Sequence, residues 1–214
     1  MAFQDPTFVE LSHGDFVAGI VPAVQRELFA HWDSLRGDAR MPERRSFRPE
    51  KLPRSLVPHI GLLKVDRAAE RLGFEYRIVG NAIARTFGTG APRKRPADDR
   101  PQAYSRPLEA FYALTVETRA AINWTAVNLL VGGGETLVHR ICLPLCAGLA
   151  AEGAAAPEAV QPGQVTALLF STVAEPGPDG RAPEDFQGRL IVGIAQRRPF
   201  RICARQHPPQ AAAA

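Results

Sequence analysis

In the first part of the chain, apolar residues recur every four positions at Phe16, Ile20, Val24, Leu28 and Trp32, with Leu35 following. That spacing lays one apolar stripe along a helix. Ser12-His13-Gly14-Asp15 precedes it with the form of a capping box, and Gly37 supplies a stop. Pro22 lies inside the stripe. The helix therefore either kinks there or starts there, with proline in its first turn. The polar, proline-containing stretch Met41–Pro49 predicts a loop, and Leu52–Leu56 one helical turn.

The period then changes from four to two. Ile60–Val65 is an apolar run, and in Phe74–Val79 the residues Phe74, Tyr76 and Ile78 alternate with Glu75, Arg77 and Val79. These two predict a hairpin. Asn81–Phe87 predicts a short helix, bounded by Gly80 and by Gly88-Thr89-Gly90. Residues 91–101 form a basic, proline-rich loop. A helix is expected over Pro107–Arg119, with Leu108, Phe111, Tyr112 and Val116 on its apolar face. Strands follow at Asn123–Val131 and Glu135–Leu145, joined by Gly132-Gly133-Gly134, then at Val165–Val173, with a short one at Arg189–Ile194. Residues 147–163, and the acidic 176–186, predict loops. The tail from Arg205 is expected to be disordered. Two strands, then helices, then three strands predict an α+β domain. Its sheet should be antiparallel and about five-stranded, with helices on one face and an N-terminal helix in front.

Composition sets the outer limits. The chain has 214 residues, 45 % hydrophobic and 22 % charged, enough to bury a core without disulfides or metal. Lys+Arg 26 against Asp+Glu 22 gives +4. That excess is mild, and 23 of the 26 basic residues are Arg, as a GC-rich coding sequence would give. Three cysteines with no Cys-x-x-Cys spacing argue for a reducing compartment. Met1–Phe16 carries no Lys or Arg, unlike a signal peptide. No apolar run reaches the ~18 residues that span a bilayer. The expectation is a cytoplasmic protein that does not enter a membrane.

The element order, together with several short motifs, resembles a PAS domain. The residues look like a bacterial subfamily of short, stand-alone PAS proteins common in alphaproteobacteria. The motifs are Trp32 with Leu35-Arg36-Gly37, Met41-Pro42, Phe47-Arg48-Pro49, Leu56-Val57-Pro58, Tyr76–Gly80, Phe87-Gly88-x-Gly90 and Leu143-Pro144-Leu145. The likeness covers residues 28–172. Arg48 stands where the subfamily pattern has an acidic residue nearby, and 147–163 and the region after 174 fall outside it. The resemblance implies a division into residues 1–40 (N-terminal helix), 41–174 (PAS-like domain) and 175–214 (C-terminal extension). It also implies a ligand pocket between the sheet and the helices after the second strand. Its candidates are Tyr76, Arg77, Phe87, Phe111, Tyr112, Trp124 and His139. A helix ahead of the core often dimerises such domains, which makes Phe16, Ile20, Val24, Leu28 and Trp32 homodimer candidates.

Candidate chemistry is sparse. His139 shares a strand face with Leu137, Ile141 and Leu143. If that face is the inner one, the imidazole reaches the pocket; otherwise it is a satisfied core or outer-face histidine. Haem is disfavoured, because neither core helix carries a histidine. Flavin is disfavoured, because no Asn-Cys-Arg-Phe-Leu-like motif is present. The cofactor is otherwise unknown. Cys142 and Cys146 lie on the other face, ~13 Å apart on a regular strand, too far for a disulfide, and too far for one zinc unless Pro144 bends the strand. Arg77 is placed to pair with Glu75 or to reach a ligand anion. The patches Arg93-Lys94-Arg95 and Arg44, Arg45, Arg48 lack interleaved aromatics, which disfavours nucleic acid. No nucleophile elbow, phosphate loop or zinc-protease motif occurs.

The expected function is a sensory or regulatory domain without its own output domain. It would act through an unidentified regulatory protein partner, with a small-molecule ligand as an option and no enzymatic activity. Two alternatives stand beside it. One is a small isomerase- or dehydratase-type enzyme using His139 as base. The other is an interaction module whose core is filled by Phe87, Phe111, Tyr112 and Trp124.

Overall fold

The computed structural model describes residues 8–67, 72–87, 94–96, 102–130, 135–148, 163–175, 190–195 and 200–203. Its strands are β1 (Phe8–Leu11), β2 (Gly61–Asp66), β3 (Gly73–Val79), β4 (Ala121–Leu130), β5 (Glu135–Cys146), β6 (Val165–Ala174), β7 (Leu190–Ala195) and β8 (Phe200–Cys203). Its helices are α1 (His13–Ala18), α2 (Ala23–Arg36), α3 (Asn81–Phe87) and α4 (Gln102–Thr118).

Five strands form the antiparallel centre in the order β3-β2-β6-β5-β4. The first two strands of the centre thus pair beside the last. Beyond β4 the sheet continues into segments the expected five strands did not include. β8 pairs antiparallel with Ala121–Asn123, and β7 pairs antiparallel with Val127–Leu130 farther along the same strand. β1 then pairs parallel with β8, from Phe8 opposite Phe200 to Leu11 opposite Cys203. Among the described residues the sheet has eight strands.

The predicted N-terminal helix is two helices. Ser12 caps α1, its hydroxyl accepting from the Asp15 amide at 3.2 Å. α1 ends at Gly19, and Pro22, in extended backbone, caps the start of α2. Proline therefore marks a beginning, where its missing N–H costs nothing. Gly37 closes α2 at φ 53, a conformation that favours glycine. The helical turn predicted over Leu52–Leu56 is a single hydrogen-bonded turn, Leu56 N donating to Pro53 O at 2.9 Å, flanked by 3₁₀ turns at Pro49–Lys51 and Val57–His59 that carry proline at their first and second positions. α4 begins at Gln102, so Pro107 is its sixth residue rather than its first. A proline there loses a single hydrogen bond, toward the carbonyl four residues back. The predicted loops at 176–186 and over most of 91–101 and 147–163, and the tail from Arg205, lie outside the described residues.

Both faces of the central sheet are covered. α4 packs on one. α1 and α2 pack on the other, through Phe16, Ile20, Leu28, Phe29 and Trp32, each no more than 3 % exposed. Polar tethers fix this second layer. Trp32 Nε1 donates to the Pro144 carbonyl at 2.9 Å, and Asn123 Nδ2 to the Gly19 carbonyl at 2.9 Å. The Gln25 amide donates to the His139 and Ser171 carbonyls at 2.9 and 3.2 Å. The loop before the first 3₁₀ turn is sewn to the end of β5, with Arg44 N bonded to Cys146 O and Cys146 N to Pro42 O.

Candidate functional site

Alternation along β4 and β5 sorts the candidate residues by face. Trp124 stands opposite Arg140 and Ile122 opposite Cys142 on the α4 side; Thr125 stands opposite His139 and Asn123 opposite Ile141 on the α1–α2 side. Asn123 reaches Gly19 and Trp124 reaches Phe111, which fixes the assignment.

On the α4 side the aromatic candidates come together. Phe111 touches Trp124 with ring centres 5.3 Å apart and Tyr112 at 5.9 Å. Tyr112 touches Phe74 at 5.4 Å and Phe170 at 6.0 Å, and Phe170 touches Tyr76 at 6.1 Å. None of these six rings is more than 3 % exposed. Such tilted contacts each contribute about 0.5–1.5 kcal/mol beyond burial. The Phe170 ring also fills the space beside Gly61, where an added Cβ would lie 2.1 Å from Cζ. The side chain of Phe87 lies outside the described residues.

Arg140, which the sequence did not single out, belongs to this interior. It is 2 % exposed, and its guanidinium lies 4.9 Å from the Trp124 ring centre. A guanidinium on an aromatic face gains cation–π attraction, which strengthens as water is excluded. Cys142 is fully buried nearby. Burial pushes its thiol up to about 12, against the smaller opposing pull of a hydrogen bond with Thr115. Cys146 is buried at the end of β5, where the β5–β6 register shifts, and its thiol is also raised by burial.

Two candidates are placed elsewhere. Arg77 is exposed and lies 3.4 Å from Glu75, so it takes the ion-pair position rather than entering the aromatic interior. His139 is buried at 3 % exposure but faces the α1–α2 side, away from the rings. Its pocket placement is corrected by strand parity, which puts it on the face opposite Trp124. There Nδ1 lies 3.0 Å from Thr125 Oγ1 and Nε2 lies 2.7 Å from Glu175 Oε1. Glu175 follows β6 directly and meets a residue 36 positions earlier, so no local pattern announced it.

The dimer candidates Phe16, Ile20, Leu28 and Trp32 are buried within the single chain, and Val24 is half-buried against the same core. Their stripe is occupied by the chain's own sheet. A second copy would need other surface, such as that around the exposed Val21 and Val57.

Among the described residues, no helix is long and apolar enough to cross a membrane, and no group of three or more metal-ligating side chains occurs. Neither a curated protein nor a solved structure matches the chain. A family model described as a PAS domain matches residues 21–122, just under half of the chain. The match runs from the start of α2 into β4, and β5 and β6 then complete the central sheet beyond it. Match and architecture together support a PAS-fold domain, α+β with an antiparallel five-stranded centre.

Proposed function

We propose that the chain is a regulatory PAS-type module that acts by binding other protein chains, with an interior filled by its own aromatic rings. PAS domains in general are sensory and regulatory modules, so the match over residues 21–122 supports the class. The observation that carries the finer reading is the unbroken path of ring contacts from Tyr76 through Phe170, Tyr112 and Phe111 to Trp124. These side chains occupy the region where a PAS ligand would sit. A filled core favours signalling through surfaces, by a shift between docking arrangements that a partner stabilises.

One observation favours a second reading, in which the domain senses a small anion. Arg140 places a guanidinium against Trp124 in that same interior, and a planar fork of donors suits a carboxylate or phosphate. Native mass spectrometry of the purified chain separates the two. The filled-core module is expected at the bare protein mass, alone or as a dimer. A reproducible, stoichiometric extra mass that is lost in Arg140→Met would overturn it in favour of anion sensing.

A further inference from the structure

The hydrogen-bonded series Thr125–His139–Glu175 lies on the face away from the aromatic interior and takes no part in the filled core. A carboxylate only accepts hydrogen bonds, so the 2.7 Å contact places a proton on His139 Nε2. In the neutral imidazole Nδ1 is then an acceptor, and the Thr125 hydroxyl at 3.0 Å is its donor. A hydroxyl bonded to an imidazole that a carboxylate orients is the arrangement of an activated oxygen nucleophile.

The parts are held firmly. Glu175 is pinned on both sides of its side chain, its amide donating to Leu137 O at 2.8 Å and its carbonyl accepting from Thr136 Oγ1 at 2.6 Å. Gln25, fully buried, holds the His139 backbone at 2.9 Å. The imidazole is buried, while Thr125 is half-buried and the Glu175 side chain is 41 % exposed. The relay thus runs from a shielded base toward solvent at its ends.

We propose that Thr125 Oγ1 is an acyl-accepting nucleophile, with His139 as its general base and Glu175 as the positioning residue, toward activated carboxylic esters. Oγ1 attacks the carbonyl carbon as its proton passes to Nδ1. The bond from carbonyl carbon to leaving oxygen then breaks, and the leaving alcohol takes that proton. The products are an ester at Thr125 and a free alcohol, with no oxidant or further reactant. A nucleophile, a base and an orienting group suffice for one such stoichiometric event.

The test incubates the full chain with p-nitrophenyl acetate, following p-nitrophenolate release, intact mass and the modified peptide. The expected result is one acetyl group per chain, on Thr125. Thr125→Val should abolish it, and His139→Gln should slow it about a hundredfold, the order contributed by a general base. Glu175→Gln changes a half-exposed side chain and so leaves the fold in place. It should slow acylation about tenfold or more by releasing the imidazole tautomer, with Glu175→Asp partly restoring the rate. The proposal is overturned by absence of acetylation, by acetylation confined to lysines, or by an unchanged rate in Glu175→Gln.

Discussion

A residue's worth in this protein depends on what its smallest atoms would meet. Gly80 lies under the 3₁₀ turn at Val57–His59, and a Cβ there would come within 2.3 Å of the Pro58 carbonyl oxygen and 2.6 Å of that of Val57. Backbone cannot swing aside as a side-chain tip can. Gly80→Ala is therefore expected to lower stability by about 1–3 kcal/mol, the range for overpacking, as read from the urea midpoint. Cys142 offers a prediction in pH. Its folded pKa is pushed from 9.0 to about 12, so above pH 9 the unfolded chain loses this proton and the folded chain keeps it. Folding stability linked to this thiol is intact below that point and is lost as pH rises through the window. Cys142→Ala should flatten the alkaline limb of the stability profile, and in native protein at neutral pH Cys142 should resist a thiol reagent until denaturant is added.

At the scale of elements, the layer formed by α1 and α2 hangs on few polar contacts. Gln25→Ala removes both donations to the sheet, at His139 and Ser171, and should cost about 1–3 kcal/mol. Faster amide exchange in α2 than in β5 would show that the helix loosens first; equal acceleration throughout would deny α2 that independence. These elements differ in how openly the sequence announced them. α3 could be read to the residue, because Gly80 and Gly88 bracket it. β4, β5 and β6 were legible within two residues, since long β-branched and aromatic runs sit between turn signals. β1 and β8 were not: four residues make no convincing period, and the two pair with each other across 192 residues (200 − 8). The aromatic half of the site was readable as faces of strands and of α4. Parity separates two faces of a strand without saying which helix covers either, and so left His139 open. Arg140 escaped notice because an alternating charge reads as a solvent-facing one, and here Trp124 lies against it.

For the whole molecule, the outer sheet edge beside β4 is closed by the C-terminal extension. β7 and β8 engage β4 at two separate stretches, Val127–Leu130 and Ala121–Asn123, and β8 also holds β1. A chain ending at residue 189 would lack both strands and leave β4 with unpaired edge groups, a template for other strands. Such a truncated chain is expected to self-associate with rising concentration in size-exclusion chromatography, and an unchanged elution volume would show that the edge protects itself otherwise. The same parallel pair imposes an order in time. β1 is synthesised well before its partner, since Phe200 emerges 192 residues after Phe8 (200 − 8). At ribosomal speeds of roughly 5–20 residues per second, β1 waits on the order of 10–40 s for its neighbour. Between the emergence of β6 and that of β8 the nascent sheet can be finished at β3 and still be open at β4, which makes this edge the natural point of engagement for a chaperone during synthesis.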